Sequence, residues 1–129
     1  MDESGSVGPD NFGEMQTFLS QLVARLGVNS GGTRVGLATF STEVGETFML
    51  DQYSTVEAVQ AAIKALEHSR GGTSTNRVLR HVRTSMLTEA AGDRSDAPNV
   101  VVVLTDGRSN EPSDTQVWFL LQTERIIRN

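Results

Sequence analysis

Three stretches of this chain carry oxygen-bearing side chains in patterns that could hold a hard metal ion. The first, Asp2-Glu3-Ser4-Gly5-Ser6, sets one carboxylate and two hydroxyls at alternate positions. On an extended segment residues two apart face the same side, so Asp2, Ser4 and Ser6 can converge on one point. Gly5 lets the backbone curl around that point without a side-chain clash. The second stretch, Gly71-Gly72-Thr73-Ser74-Thr75, offers the Thr73 hydroxyl from a glycine-led loop. The third, Thr105-Asp106-Gly107, offers the Asp106 carboxylate directly after an apolar run.

Such a donor set is all oxygen, which suits Mg²⁺ or Mn²⁺ and not a soft metal that wants nitrogen or sulfur. Two ionised aspartates neutralise a divalent ion and do no more, so the metal stays electrophilic with a position open. A carboxylate from a partner protein could fill that position, in a contact that exists only while metal is present. Each stretch has a plainer reading when taken alone. Asp-x-Ser-x-Ser is commonly a polar loop or a helix cap, Thr-Asp-Gly a turn, and Gly-Gly-Thr a loop with a threonine cap. The specificity lies in the three together.

The elements that would have to position them can be read from periodicity. Gly8-Pro9-Asp10-Asn11 reads as a helix start, and Phe12, Met15, Leu19, Leu22, Val23 and Leu26 form one apolar face that stops at Gly27. "TRVGLATFS" and "EVGETFMLD" have strand composition and read as an antiparallel hairpin. Val56, Val59, Ile63 and Leu66 mark a second amphipathic helix ending near His68, and Val78, Leu79, Val82 and Met86 a third. Val100 to Leu104 is apolar without interruption, the signature of a central strand covered on both faces. Helix, hairpin, helix, helix and buried strand argue for an α/β layered fold. In such sheets ligands sit beyond the carboxyl ends of the strands, where Asp106 stands.

The bulk properties exclude other classes. A chain of 129 residues suits one domain, and 11 basic against 16 acidic residues, with no basic cluster, argue against nucleic acid or an anionic membrane as partner. There is no cysteine, so no disulfide, thiolate metal site or cysteine nucleophile. No apolar stretch is long enough for membrane insertion, and no signal peptide opens the chain.

"DESGSVGPDNF", "GGTSTNRVL" and "VVVVLTDGRSN", in this order and spacing, resemble the von Willebrand factor A-type domain over about residues 1 to 115. The resemblance implies a Rossmann-like three-layer fold, with helices on both faces of a mostly parallel sheet and one antiparallel edge hairpin. It also implies a metal-ion-dependent adhesion site at the top edge. Matched position by position, the metal ligands are Asp2, Ser4, Ser6, Thr73 and Asp106, the ion Mg²⁺ or Mn²⁺. The motifs are closest to extracellular matrix members and integrin I domains. That implies a secreted, non-enzymatic module that captures an acidic residue of collagen or another matrix protein.

The chain departs from the family at both ends. A hydrophobic strand is expected ahead of the first aspartate, where only Met1 stands. A helix and further strands are expected after Asp114, where the chain runs "TQVWFLLQTERIIRN". Residues 1–115 therefore read as a partial A-type domain and 116–129 as an atypical tail, with the first central strand and the last strands missing. A truncated form that binds nothing is one alternative. A magnesium-dependent phosphatase is another, although the second acid such sites need falls at Ser4. His68 and His81 read as surface helix positions, Glu43, Glu46 and Glu67 as solvated, Arg108 as an exposed loop charge, and Trp118 as core or as a surface liability.

Overall fold

The computed structural model describes residues 1–106 and 126–128. The first helix, α1 (Pro9–Leu26), begins with proline in its first turn and ends at Gly27, whose φ of 65° is the left-handed cap that glycine adopts without strain. Strands β1 (Leu37–Phe40) and β2 (Val44–Phe48) form the expected antiparallel hairpin, pairing Leu37 with Phe48 and Phe40 with Val44. Helix α2 (Val56–Lys64) is capped by Thr55, whose hydroxyl accepts from the Ala58 amide at 3.2 Å. Helix α3 (Thr75–His81) widens into a π-turn over Val82–Met86, and a single 3₁₀ turn follows at Glu89–Ala91. Strand β3 (Val101–Val103) pairs in parallel with β4 (Ile126–Arg128).

Met1–Glu3 join the two halves of the sheet. Phe40 donates its amide to Met1 O at 3.0 Å and Glu3 donates to Phe40 O at 2.8 Å, while Asp2 turns the other way and donates to Leu104 O at 2.8 Å. Asp2 and Phe40 form a parallel bridge. The lateral order is thus β2, β1, Met1–Glu3, β3, β4, with the β1–β2 hairpin antiparallel and the Asp2–Phe40 and β3–β4 pairings parallel. The lane expected to be missing is occupied by the first three residues, because their backbone groups find partners on both sides. Likewise β4 supplies a strand beyond β3 where none was expected.

Side chains alternate across this sheet. Leu37 joins Phe12, Val23, Val59 and Ile63 in a core beneath α1 and α2, whereas Ala38 and Phe40 join Val78, Leu79 and Met86 beneath α3. Helices therefore cover both faces, and the three-layer reading holds. The apolar run at 100–104 is buried unevenly. Val103 and Leu104 are buried, Val101 and Val102 half-buried, and Val100 is 53% exposed, so only the carboxyl end is a true interior strand. Asp2 bonds to that end, at Leu104. Among the described residues no helix is long and apolar enough to cross a membrane. The run 117–121 with Trp118, and Arg108, lie outside the described residues.

Candidate metal centre

Asp2 is wholly buried where the central lane leaves the sheet. Its Oδ1 accepts from the Ser4 amide at 2.9 Å, which turns the chain tightly after the aspartate, and its Oδ2 accepts from the Thr105 hydroxyl at 2.7 Å. Both donors are neutral, so the carboxylate is oriented by these contacts but its charge is not cancelled by them. Ser4 is 1% exposed and its Oγ lies 3.1 Å from that of Ser6, which stands at the surface. The Thr105 bond carries the third stretch into the same place: Asp106 follows directly and is exposed.

Thr73 arrives through backbone. Gly5 donates to Gly71 O at 2.9 Å and Arg70 donates to Glu3 O at 3.0 Å, so the loop bearing Thr73 runs against the serine loop. The tip of the β1–β2 hairpin braces the loop's other side. Gly72 donates to Thr42 Oγ1 at 2.8 Å, Ser74 donates to Ser41 O at 2.8 Å, and Arg77 pairs with Glu43. Thr73 itself is buried. All five residues singled out in the sequence thus come to one edge of the sheet. Among the described residues no three histidine, aspartate or glutamate side chains gather, so a cation here would meet a shell of hydroxyls and two carboxylates. That chemistry fits a hard divalent ion.

Close packing at this edge leaves Gly71 little room. A Cβ there would stand 2.7 Å from Ser41 Oγ and 3.0 Å from Thr42 Oγ1, and swinging Ser41 aside would break its 3.1 Å contact with Ser69 Oγ. Gly71→Ala should destabilise the fold by about 1–3 kcal/mol, read as a fall in thermal midpoint.

Two participants were missed in the sequence. Thr105 was passed over for its neighbour Asp106, although a hydroxyl at a strand end beside a motif aspartate was a usable signal. His68 is not a surface helix residue. It lies beyond the end of α2, half-buried, with its ring stacked on Phe12 at a centroid distance of 5.0 Å and its Nε2 2.8 Å from Ser4 O. His81 is also half-buried, with a buried Nε2. Glu43 is exposed, as expected, and pairs with Arg77. From Asp106 a groove of about 380 Å³ runs along α1 past Leu104, Val7, Met15 and Phe18.

A family model described as the von Willebrand factor type A domain matches residues 1–127. The chain belongs to this family. Among curated relatives, Matrilin-4 of Homo sapiens is 42% identical over 130 aligned positions, which cover 98% of this A-type domain and 21% of that protein. The Collagen alpha-4(VI) chain of Mus musculus is 39% identical over 113 positions, covering 86% of this chain and 5% of that one. The A-type domain thus spans about a fifth or less of the length of these relatives. The solved structure of proximal thread matrix protein 1 from the mussel byssus, with a zinc-occupied MIDAS motif, superposes with a TM-score of 0.84 at 30% identity, over 99% of this chain and 35% of that one.

Proposed function

We propose that this A-type domain is a divalent-cation-dependent adhesion module that captures an acidic side chain of an extracellular matrix protein such as collagen. The observation that carries the reading is the pair of bonds to Asp2 from Ser4 and Thr105, which draws the serine loop and the Asp106 loop to one carboxylate. The zinc-occupied motif of the 30% identical byssus protein supports the same edge as a metal site. Similarity to matrilin and collagen VI chains supports an extracellular setting and a matrix partner.

In this reading Ser4, Ser6 and Thr73 present hydroxyl oxygens and Asp2 and Asp106 present carboxylates to Mg²⁺ or Mn²⁺. The ion supplies a positive charge that an outside carboxylate can bind. The protein's residues do the rest. Thr105 and the Ser4 amide fix the direction of the Asp2 charge, and the hairpin tip holds the Thr73 loop in place. With only two negative ligands, the site keeps its attraction for a third. Binding is the whole of its chemistry, because Ser4 stands where a phosphatase of this layout needs its second acid. The net charge of −5 gives no footing for nucleic acid.

The test is binding of the chain to immobilised collagen in Mn²⁺, with and without chelator, beside a calorimetric titration of Mn²⁺ into the chain. Saturable binding that disappears on chelation is expected. Full binding in chelator, or a folded chain that takes up no Mn²⁺, overturns the proposal.

A further inference from the structure

We propose that His68 is a positioning residue for the metal centre, acting through the carbonyl of Ser4. This inference rests on the reading of the preceding subsection for the ion, but not for the geometry. A carbonyl only accepts, so the 2.8 Å contact requires that Nε2 of His68 carry the proton and donate it. The ring is clamped from the side by Phe12, which is 4% exposed in the first turn of α1. Nδ1 is buried and has no hydrogen-bond partner among the described residues, so Ser4 O is the one polar contact for which the ring is placed.

His68 does not act alone. Arg70 donates to Glu3 O and Gly71 O accepts from Gly5, so three consecutive residues of the serine loop are tied to three of the four residues 68–71. Between them Arg70 sits at φ 61°, a backbone state that L-residues other than glycine seldom adopt, and among the described residues no other non-glycine has a positive φ. At this left-handed turn Arg70 donates its own amide to the serine loop and Gly71 presents its carbonyl to the same loop. Two of the three ties are backbone to backbone and survive any side-chain change. The His68 tie is the one that the choice of residue controls, and it falls on Ser4, the buried residue whose amide donates to Asp2 and whose hydroxyl meets that of Ser6. Groups that orient a ligand in this way commonly change metal affinity by about 10–100-fold when removed.

Two substitutions isolate the donor. His68→Gln keeps an N–H at nearly the same reach, whereas His68→Met has the same length and no donor, and both lose the ring equally. Calorimetric titration with Mn²⁺ should show His68→Met binding about tenfold more weakly than His68→Gln. Amide hydrogen exchange without metal should show Ser4 and Gly5 exchanging about fivefold or more faster in the Met variant. Equal affinity and equal exchange in the two variants would overturn the role. If the wild-type chain takes up no Mn²⁺, the adhesion-site reading fails, and the exchange rates alone decide whether His68 holds the loop. Exchange that differs in the two variants sustains the positioning role, and exchange that is equal ends it.

Discussion

Asp2→Asn should lower the affinity for Mn²⁺ by more than about 100-fold, beyond the range of changes one layer out from a ligand. The fold should survive. The amide is nearly the same shape, its oxygen can still accept from the Ser4 N–H at the position of Oδ1, and the Thr105 hydroxyl can rotate to accept from the new NH₂ in place of donating to Oδ2. What is lost is the negative charge, half of the charge that the two aspartates would bring to an ion in the proposed site. Calorimetry with Mn²⁺ measures the affinity, and a thermal melt in chelator verifies the fold. Undiminished affinity in a folded Asp2→Asn chain would remove Asp2 from the site.

Acidification from pH 8 to pH 5 should destabilise the chain by about 4 kcal/mol through the α-amino group of Met1. The amine is buried and donates to Ala38 O at 2.9 Å. Burial pushes its pKa from 8.0 down to about 5, against the opposing pull of the Asp2 and Glu3 carboxylates. The unfolded chain binds this proton below pH 8 and the folded chain only below about pH 5, so the unfolded state gains on the folded one as pH falls through that window. An interval of about three pH units at about 1.4 kcal/mol each gives about 4 kcal/mol, a large share of the ~5–15 kcal/mol typical of a domain. Urea denaturation at pH 8, 6.5 and 5 measures the slope. Acetylation of the α-amino group removes the titrating proton and should flatten it.

The helices and the hairpin were legible because burial leaves a period. Phe12 to Val23 and Val59 to Ile63 repeat at helical spacing and pack where that spacing directs them, and Leu37, Ala38 and Phe40 divide between the two cores by strand alternation. The five candidate ligands were legible for a different reason. Short oxygen-bearing residues beside glycine have few roles in loops, and three such loops at strand ends have one common destination. Thr105 was not, since a threonine at a strand end is ordinary in composition and its role is defined only by the 2.7 Å to a carboxylate 103 positions away. Nor was His68, because helical periodicity carried it onto a surface while α2 stops at Lys64 and frees the ring to reach Ser4. The uneven burial of residues 100–104 was equally hidden. Five apolar residues look alike in sequence, and only their neighbours distinguish an exposed Val100 from a buried Leu104.

The alternation of backbone bonds along Met1–Glu3 has a mechanical consequence for how this edge of the sheet would carry load. Glu3 and Met1 are tied to β1, Asp2 to the end of β3. Tension applied at the top edge is therefore split between two neighbouring strands and meets those bonds side by side, so they resist sliding together instead of peeling apart in turn.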